Sequence, residues 1–342
     1  MKNIKVLTRF VFIFFLLLAL ACAFFIAAYY ANRPVSLAGD SVLYSISRGQ
    51  TVLSIAVGLE DQGIVRSAAF ASLLTRVCEY SLKAGTYRLS PRMPTDAILK
   101  VIHDGRQESI RVTIPEGLSL TKTSRHLEKA GVVSSADFIS ACRSPELLQR
   151  FSIPGPSAEG FLFPDTYKFT YGMQPSKVAA IMIENFFTKI DEIPNVPKTH
   201  KKLVDSVILA SIIEREYRVA AEAPLIASVF SNRLTIGMGL QSCSTIEYII
   251  TEIQGKPHPA RLLSSDLEIP SDYNTYLWAG LPPGPISNPG KVALSAAFNP
   301  SRTRYLYFRL TDPAQGTHSF TQSLDEHVSV GRQFYLKKAA GN

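Results

Sequence analysis

The chain has 342 residues, a formal net charge of +8 and 46% apolar residues, enough for about two packed domains and too apolar for a disordered chain. Lys and Arg are scattered, with no basic stripe interleaved with aromatics, so an anionic lipid or polymer fits the charge and nucleic acid does not. Cys22, Cys78, Cys142 and Cys243 form no Cys-x-x-Cys pair, and the six histidines are dispersed, so no disulfide framework, metal or cofactor is expected.

The first predicted element is a membrane span. Phe10 to Tyr30 is almost wholly apolar and uncharged, about the length a helix needs to cross the hydrocarbon core. Lys2, Lys5 and Arg9 precede it without an acid, which puts the tail 1–9 in the cytoplasm and the bulk of the chain outside the inner (cell) membrane. Ala19-Leu20-Ala21-Cys22 resembles a lipoprotein cleavage site, and a cleaved signal peptide is the rival reading. The apolar run continues through Phe24, Phe25 and Ile26, where a mature lipoprotein would be polar. A single-pass, uncleaved anchor over 10–30 is therefore expected.

An internal repeat follows. Ile46-Ser-Arg-Gly49 recurs as Ile114-Pro-Glu-Gly117, and Gly63 to Phe70 recurs as Gly131 to Phe138, all at an offset of 68. Each unit predicts a strand, a Gly turn, and a helix over about 51–62 or 120–130 that ends at Gly63 or Gly131. A second helix is expected from Ser67 or Ser135. Gly85-Thr-Tyr87 is echoed by Asp165-Thr-Tyr167 at an offset of 80, which places an insertion around Pro145 to Pro156. The units, 40–112 and 113–192, resemble LysM modules, small βααβ units that bind N-acetylglucosamine polymers. A packing unit without ligand is the other reading of the same pattern.

Ile193 to Pro197 reads as a linker before a third region, 198–342. Helices are predicted over Leu203–Tyr217, Glu222–Leu234 and Lys291–Phe298, with a long irregular stretch from Gly237 to Pro289. Strands are predicted over Tyr305–Leu310 and Thr317–Thr321, and Ser323 with Glu326 forms a capping-box pattern. The fold class is α+β: an amino-terminal membrane helix, a βααβ repeat region, then a mixed α+β domain.

The residue that stands out is Glu214. Leu203, Val207, Ala210, Glu214, Tyr217 and Ala221 fall on one helical face, so its carboxylate would be partly desolvated and its pKa raised, as a general acid near neutral pH requires. The competing reading is a solvated glutamate paired with Arg218 at i+4. Glu216 shares a more mixed row with Asp205, Leu209 and Ile212 and reads as structural. Asp165, Glu159, Asp266 and Asp272 are further acids, each more readily a cap or turn residue.

Sugar sites need amide and hydroxyl partners with aromatic faces, and Gln241, Thr245, Tyr248, Tyr273, Asn274, Thr275 and His318 carry such groups; the other reading is equally plain, with Asn274 only shaping a turn and Tyr248 only filling a core. Gly280 to Gly284 reads as a rigid loop.

Four groups of motifs lie in order along the chain. They are Glu159 to Tyr167, then Leu209-Ala-Ser-Ile-Ile-Glu214-Arg-Glu216 with Ala227 to Leu234. Next come Gly237-Met-Gly-Leu-Gln241 with Tyr273-Asn-Thr-Tyr276 and Gly280 to Ile286, and finally Tyr305 to Phe308 with His318 to Phe320 and Glu326-His327. Together they resemble the YceG-like endolytic murein transglycosylases (the MltG family), over nearly the whole chain.

The resemblance implies a YceG-like catalytic domain at 198–342 and a lytic transglycosylase. Such enzymes cut the MurNAc-β-1,4-GlcNAc bond of nascent peptidoglycan strands, end elongation, and leave 1,6-anhydro ends without consuming water. Glu214 matches the family's catalytic glutamate, and peptidoglycan synthases are implied as partners. One departure is clear. The family carries Gln-x-Asp-Pro-Thr where this chain has Gln241-Ser-Cys243-Ser244-Thr245. The alternative function is a non-catalytic, membrane-anchored scaffold that binds glycan. A third is a lysozyme-type hydrolase.

Overall fold

The computed structural model describes residues 2–340. The chain folds as two compact units, residues up to 110 with 170–172, and residues 111–169 with 173 onward.

The first unit begins with helix α1 (Lys2–Asn32). Its stretch Val11–Asn32 has a mean hydropathy of 3.0 and buries nothing, so by length and composition it suits a single-pass membrane anchor. The far end of α1 is tied down. The Ala31 carbonyl accepts from Thr95 Oγ1 at 3.1 Å and Asn32 Oδ1 from the Asp96 amide at 2.9 Å.

Next come β1 (Val42–Ile46), α2 (Val52–Asp61), α3 (Ala68–Val77), β2 (Gly85–Leu89) and α4 (Thr95–Asp104). Thr51 and Ser67 cap the two repeat helices, and Gly63 adopts φ +65° just past α2, which only glycine does freely. β1 and β2 pair antiparallel with Tyr44 opposite Tyr87. Ile55, Leu59, Leu89, Ile98 and Ile102 fill the core between them and the helices.

The second repeat contains β3 (Ser109–Thr113), α5 (Leu120–Lys129), α6 (Ser135–Cys142), α7 (Pro145–Arg150) and β4 (Thr166–Thr170). β3 pairs with β4. α7 occupies the expected insertion. The cap of α6 is Ser134 and not Ser135, because the Ser135 amide is taken by Glu128 Oε1 at 2.9 Å and Ser134 Oγ accepts from Asp137. The repeat extends to single hydrogen bonds. Tyr87 donates to the carbonyl of Lys83 at 2.7 Å, and Tyr167 to that of Phe163 at 2.5 Å, each four residues back. Ser45 meets Thr86 at 2.8 Å, as Thr113 meets Thr166.

The chain continues with α8 (Pro175–Asp191), α9 (His200–Glu216), α10 (Ala223–Thr235), α11 (Cys243–Tyr248), α12 (Lys291–Phe298), the hairpin β5 (Tyr307–Asp312) and β6 (Thr317–Thr321), and α13 (Leu324–Ala340). The sequence divides the chain after residue 192, whereas in the structure the second repeat packs within the same unit as α9 to α13. The stretch 237–289, expected to be irregular, holds α11, a π turn (Ile249–Ile253) and a 3₁₀ turn (Ser264–Glu268). β5 starts two residues later than expected, because Asn232 Nδ2 takes the Thr303 and Tyr305 carbonyls. Seven consecutive residues of α9, Val207 to Ile213, are buried, and α9 packs against α10, α11 and α12. A helix apolar on every side must sit inside a core.

Candidate active site

Glu214 stands where α9 leaves that core. Tyr217 is extended (φ −73°, ψ 148°) and ends the helix, so the predicted face stops there and Ala221 is exposed off it. Desolvation of Glu214 comes from what is laid against the helix end. The Ile286 amide donates to Ser211 Oγ at 3.0 Å, and Ser287 Oγ donates to the Ser211 carbonyl at 2.9 Å. This strip follows α9 to its last turn, where the Gly290 amide donates to Glu214 Oε2 at 2.9 Å. Tyr217 OH donates to Glu214 Oε1 at 3.4 Å, a long bond. The carboxylate is half-buried, and its hydrogen-bond partners are Gly290 and Tyr217 rather than Arg218.

A third piece comes from the second repeat. The turn between β3 and α5 reaches α9 through Gly117, whose φ is +74°. The Gly117 amide donates to the Asn288 carbonyl at 3.0 Å and the Asn288 amide to the Leu118 carbonyl at 2.8 Å. A Cβ on Gly117 would lie 3.4 Å from Glu214 Cγ, and one on Gly290 would overlap the Glu116 carboxylate. Asn288 is buried and locks the assembly. Its Oδ1 accepts from Gly160 at 2.9 Å and Leu162 at 3.1 Å, and its Nδ2 donates to the Leu118 carbonyl at 2.9 Å.

Burial pushes the Glu214 carboxyl up to about 7, and the negative charge of Glu116 adds to the rise, while the Gly290 amide, Tyr217 and Arg215 oppose it. A carboxyl poised there can give a proton and take one back near neutral pH. Glu159 is raised further, to about 8, by burial. Both of its oxygens accept from the Leu120 amide, at 2.8 and 2.9 Å, so it anchors the start of α5. Glu216 is also raised by burial; Ser242 Oγ donates to it at 2.5 Å and lies 2.6 Å from Ser244 Oγ. Ser244, at the departure from the family pattern, thus joins a hydroxyl network on Glu216, and Cys243 Sγ meets Tyr276 OH at 3.1 Å.

The other sequence-predicted residues separate. Tyr248 and Tyr273 pack with ring centroids 5.1 Å apart and line a cavity of about 760 Å³ with Arg143, Glu159 and Pro282 to Pro285. Gln241 is exposed with φ +50° and borders a cavity of about 350 Å³ with Glu216, Cys243 and Tyr276. Thr245, Asn274 and Thr275 are buried. Asn274 Nδ2 donates to the Leu267 and Ile269 carbonyls, Thr245 Oγ1 donates to the Ser242 carbonyl, and Thr275 Oγ1 accepts from the Ser242 amide. These three hold the loop and face no ligand surface, because their polar groups are consumed in closing it. The His318 side chain is also enclosed, its Nδ1 2.7 Å from Glu222 Oε2. Sequence reasoning missed Glu116, Gly117, Asn288 and Gly290. The repeat echo marked the Glu116-Gly117 turn without showing where it points.

The family model for the YceG-like family matches residues 44–333. The chain is 30% identical over 316 residues to the endolytic murein transglycosylase of Bacillus subtilis, covering 87% of this chain and 86% of that protein. It is 27% identical over 347 residues to the endolytic murein transglycosylase of Streptococcus pneumoniae, covering 92% of this chain but only 63% of the relative. A crystal structure of a yceG-like protein from Listeria monocytogenes, 30% identical, covers 86% of this chain and aligns over 100% of its own length with a TM-score of 0.58.

Proposed function

Because the chain belongs to the YceG-like family, we propose that it is an endolytic murein transglycosylase whose proton-transfer group is Glu214. The observation that carries this reading is the Glu214 carboxyl, half-buried where α9 leaves the core, with its pKa lifted to about 7. The protonated form donates to the glycosidic oxygen between MurNAc and GlcNAc as the bond to C1 breaks. The MurNAc 6-hydroxyl closes on the same C1, and the Glu214 carboxylate takes the hydroxyl proton. One proton leaves Glu214 and one returns, no water enters, and the product carries a 1,6-anhydro end. One carboxyl can serve both steps because the nucleophile belongs to the substrate. Glycosidases that hydrolyse the bond instead divide the work between two carboxyls about 5–9.5 Å apart.

Tyr248 and Tyr273 are the candidates retained for stacking on sugar rings, and Gln241 for a hydroxyl contact. The charges of Lys2, Lys5 and Arg9 support a cytoplasmic amino terminus, which would leave the Glu214 site outside the inner membrane, where nascent peptidoglycan lies.

The test is mass spectrometry of products from isolated peptidoglycan. Anhydro-ended fragments that Glu214→Gln no longer releases support the reading. Reducing ends labelled from ¹⁸O-water identify a hydrolase, and no cleavage at all identifies a glycan-binding scaffold.

A further inference from the structure

The two repeats present the same turn to different surroundings. Gly49 and Gly117 occupy equivalent positions and take similar left-handed conformations, φ +84° and +74°. At Gly49 a Cβ would meet nothing within 4 Å, whereas at Gly117 it would touch Glu214 and Arg215. The residue before the glycine differs in charge, Arg48 in the first repeat and Glu116 in the second. The second turn is clamped by its two backbone hydrogen bonds to Asn288, and the Glu116 carboxylate lies against Gly290, whose amide holds Glu214. Two carboxylates therefore flank one glycine.

We propose that Glu116 is a positioning residue for the reaction, whose negative charge keeps the proton on Glu214 until the glycosidic oxygen takes it. The inference rests on the reading of Glu214 as the proton donor. The ionisable groups acting most on Glu214 are Glu116 from the β3–α5 turn and Arg215 and Tyr217 from α9 and its end; the loop before α12 contributes the Gly290 amide. Arg215 is engaged by Glu247 at 2.8 Å, and Lys291, next to Gly290, by Glu192 at 2.8 Å. Glu116 is the one anion in that set beside Glu214. Like charge disfavours ionisation of a neighbour, as burial does, and the Gly290 amide works the other way. Glu116 also explains why position 290 lacks a side chain at an ordinary φ of −84°, since any Cβ there would displace its carboxylate.

The test is the pH–rate profile for anhydro-end release by the full chain in detergent. Loss of the Glu116 charge lowers the pH at which Glu214 loses its proton. Glu116→Gln moves the alkaline limb down by about half a pH unit or more, Glu116→Arg moves it further, and Glu116→Asp stays near the parent. A limb that stays in place in the Gln and Arg variants overturns the proposal, including when rates fall by an equal factor at every pH, as they would for a merely structural residue. A second measurement needs no activity. The gain in alkaline melting temperature from Glu214→Gln should shrink when residue 116 is Gln, and an unchanged gain also overturns the proposal. If the parent releases no anhydro ends, the functional reading fails, while this thermal comparison still decides whether the two carboxyls are coupled.

Discussion

Replacing Glu214 with Gln should abolish activity and stabilise the protein at alkaline pH. The ordinary carboxyl value of 4.5 is lifted to about 7, mainly by burial. The product (7 − 4.5) × 1.36 kcal/mol gives about 3.4 kcal/mol between protonation states, and screening at a half-buried side chain reduces this to about 2–3 kcal/mol. The sign follows from linkage. A group whose folded pKa is raised contributes fully below its unfolded value and loses that contribution as pH rises through the folded value. Parent and variant should therefore melt together near pH 4, diverge as pH rises from 4.5 to about 7, and keep a constant gap above that. The variant should be higher by about 5–10 °C at pH 9 for a unit of this size. Anhydro-end release should fall at least about 10³-fold, since one group serves as acid and then base. Thermal unfolding of the full chain in detergent, followed by circular dichroism from pH 4 to 9, measures the first effect, and product mass spectrometry the second. A variant that melts no higher than the parent at pH 9 would refute the desolvation argument. One that still releases anhydro ends would refute the assignment of Glu214.

Asn288→Ala should destabilise the protein by about 3–5 kcal/mol in denaturant titration, because the buried amides of Gly160 and Leu162 lose their acceptor and the Leu118 carbonyl loses one of its two donors. The same variant keeps the two backbone bonds between residue 288 and the Glu116-Gly117 turn, so activity should fall in step with the loss of stability rather than vanish. Glu159→Gln keeps an acceptor for the Leu120 amide and removes a carboxyl lifted from 4.5 to about 8, so its melting temperature should exceed the parent's by a margin that grows across that interval and levels off above it. Deleting residues 1–30 should give a protein that stays in solution without detergent and still releases anhydro ends. Extending the deletion through Asn32 should lower its melting temperature, because Thr95 and Asp96 lose their bonds to Ala31 and Asn32.

Much of this architecture is legible in the residues. A run from Phe10 to Tyr30 without a charge predicts a single apolar helix whatever follows it, because length and hydropathy are local properties. The constant offset of 68 predicts a twice-used strand–helix–helix–strand unit, since Gly63, Gly131 and the serine caps are local conformational requirements. Lys291–Phe298 and Thr317–Thr321 form at the expected residues for the same reason. The stretch 237–289 was harder to read, because α11 and its π turn are short and gain stability only by packing.

The sequence by itself determined that Glu214 ends an apolar helix and is a candidate acid. It could not determine what surrounds that acid. Residues 207–213 of α9 are buried on every side, so the helical face predicted for Glu214 does not set its environment. Gly290 lies 76 positions along the chain from it, and Glu116 approaches from a different repeat. Nor does sequence show that Asn274 and His318 spend their polar groups on their own protein. Proton affinity depends on the charges and solvent within a few ångströms, and only folding decides which distant residues come that close.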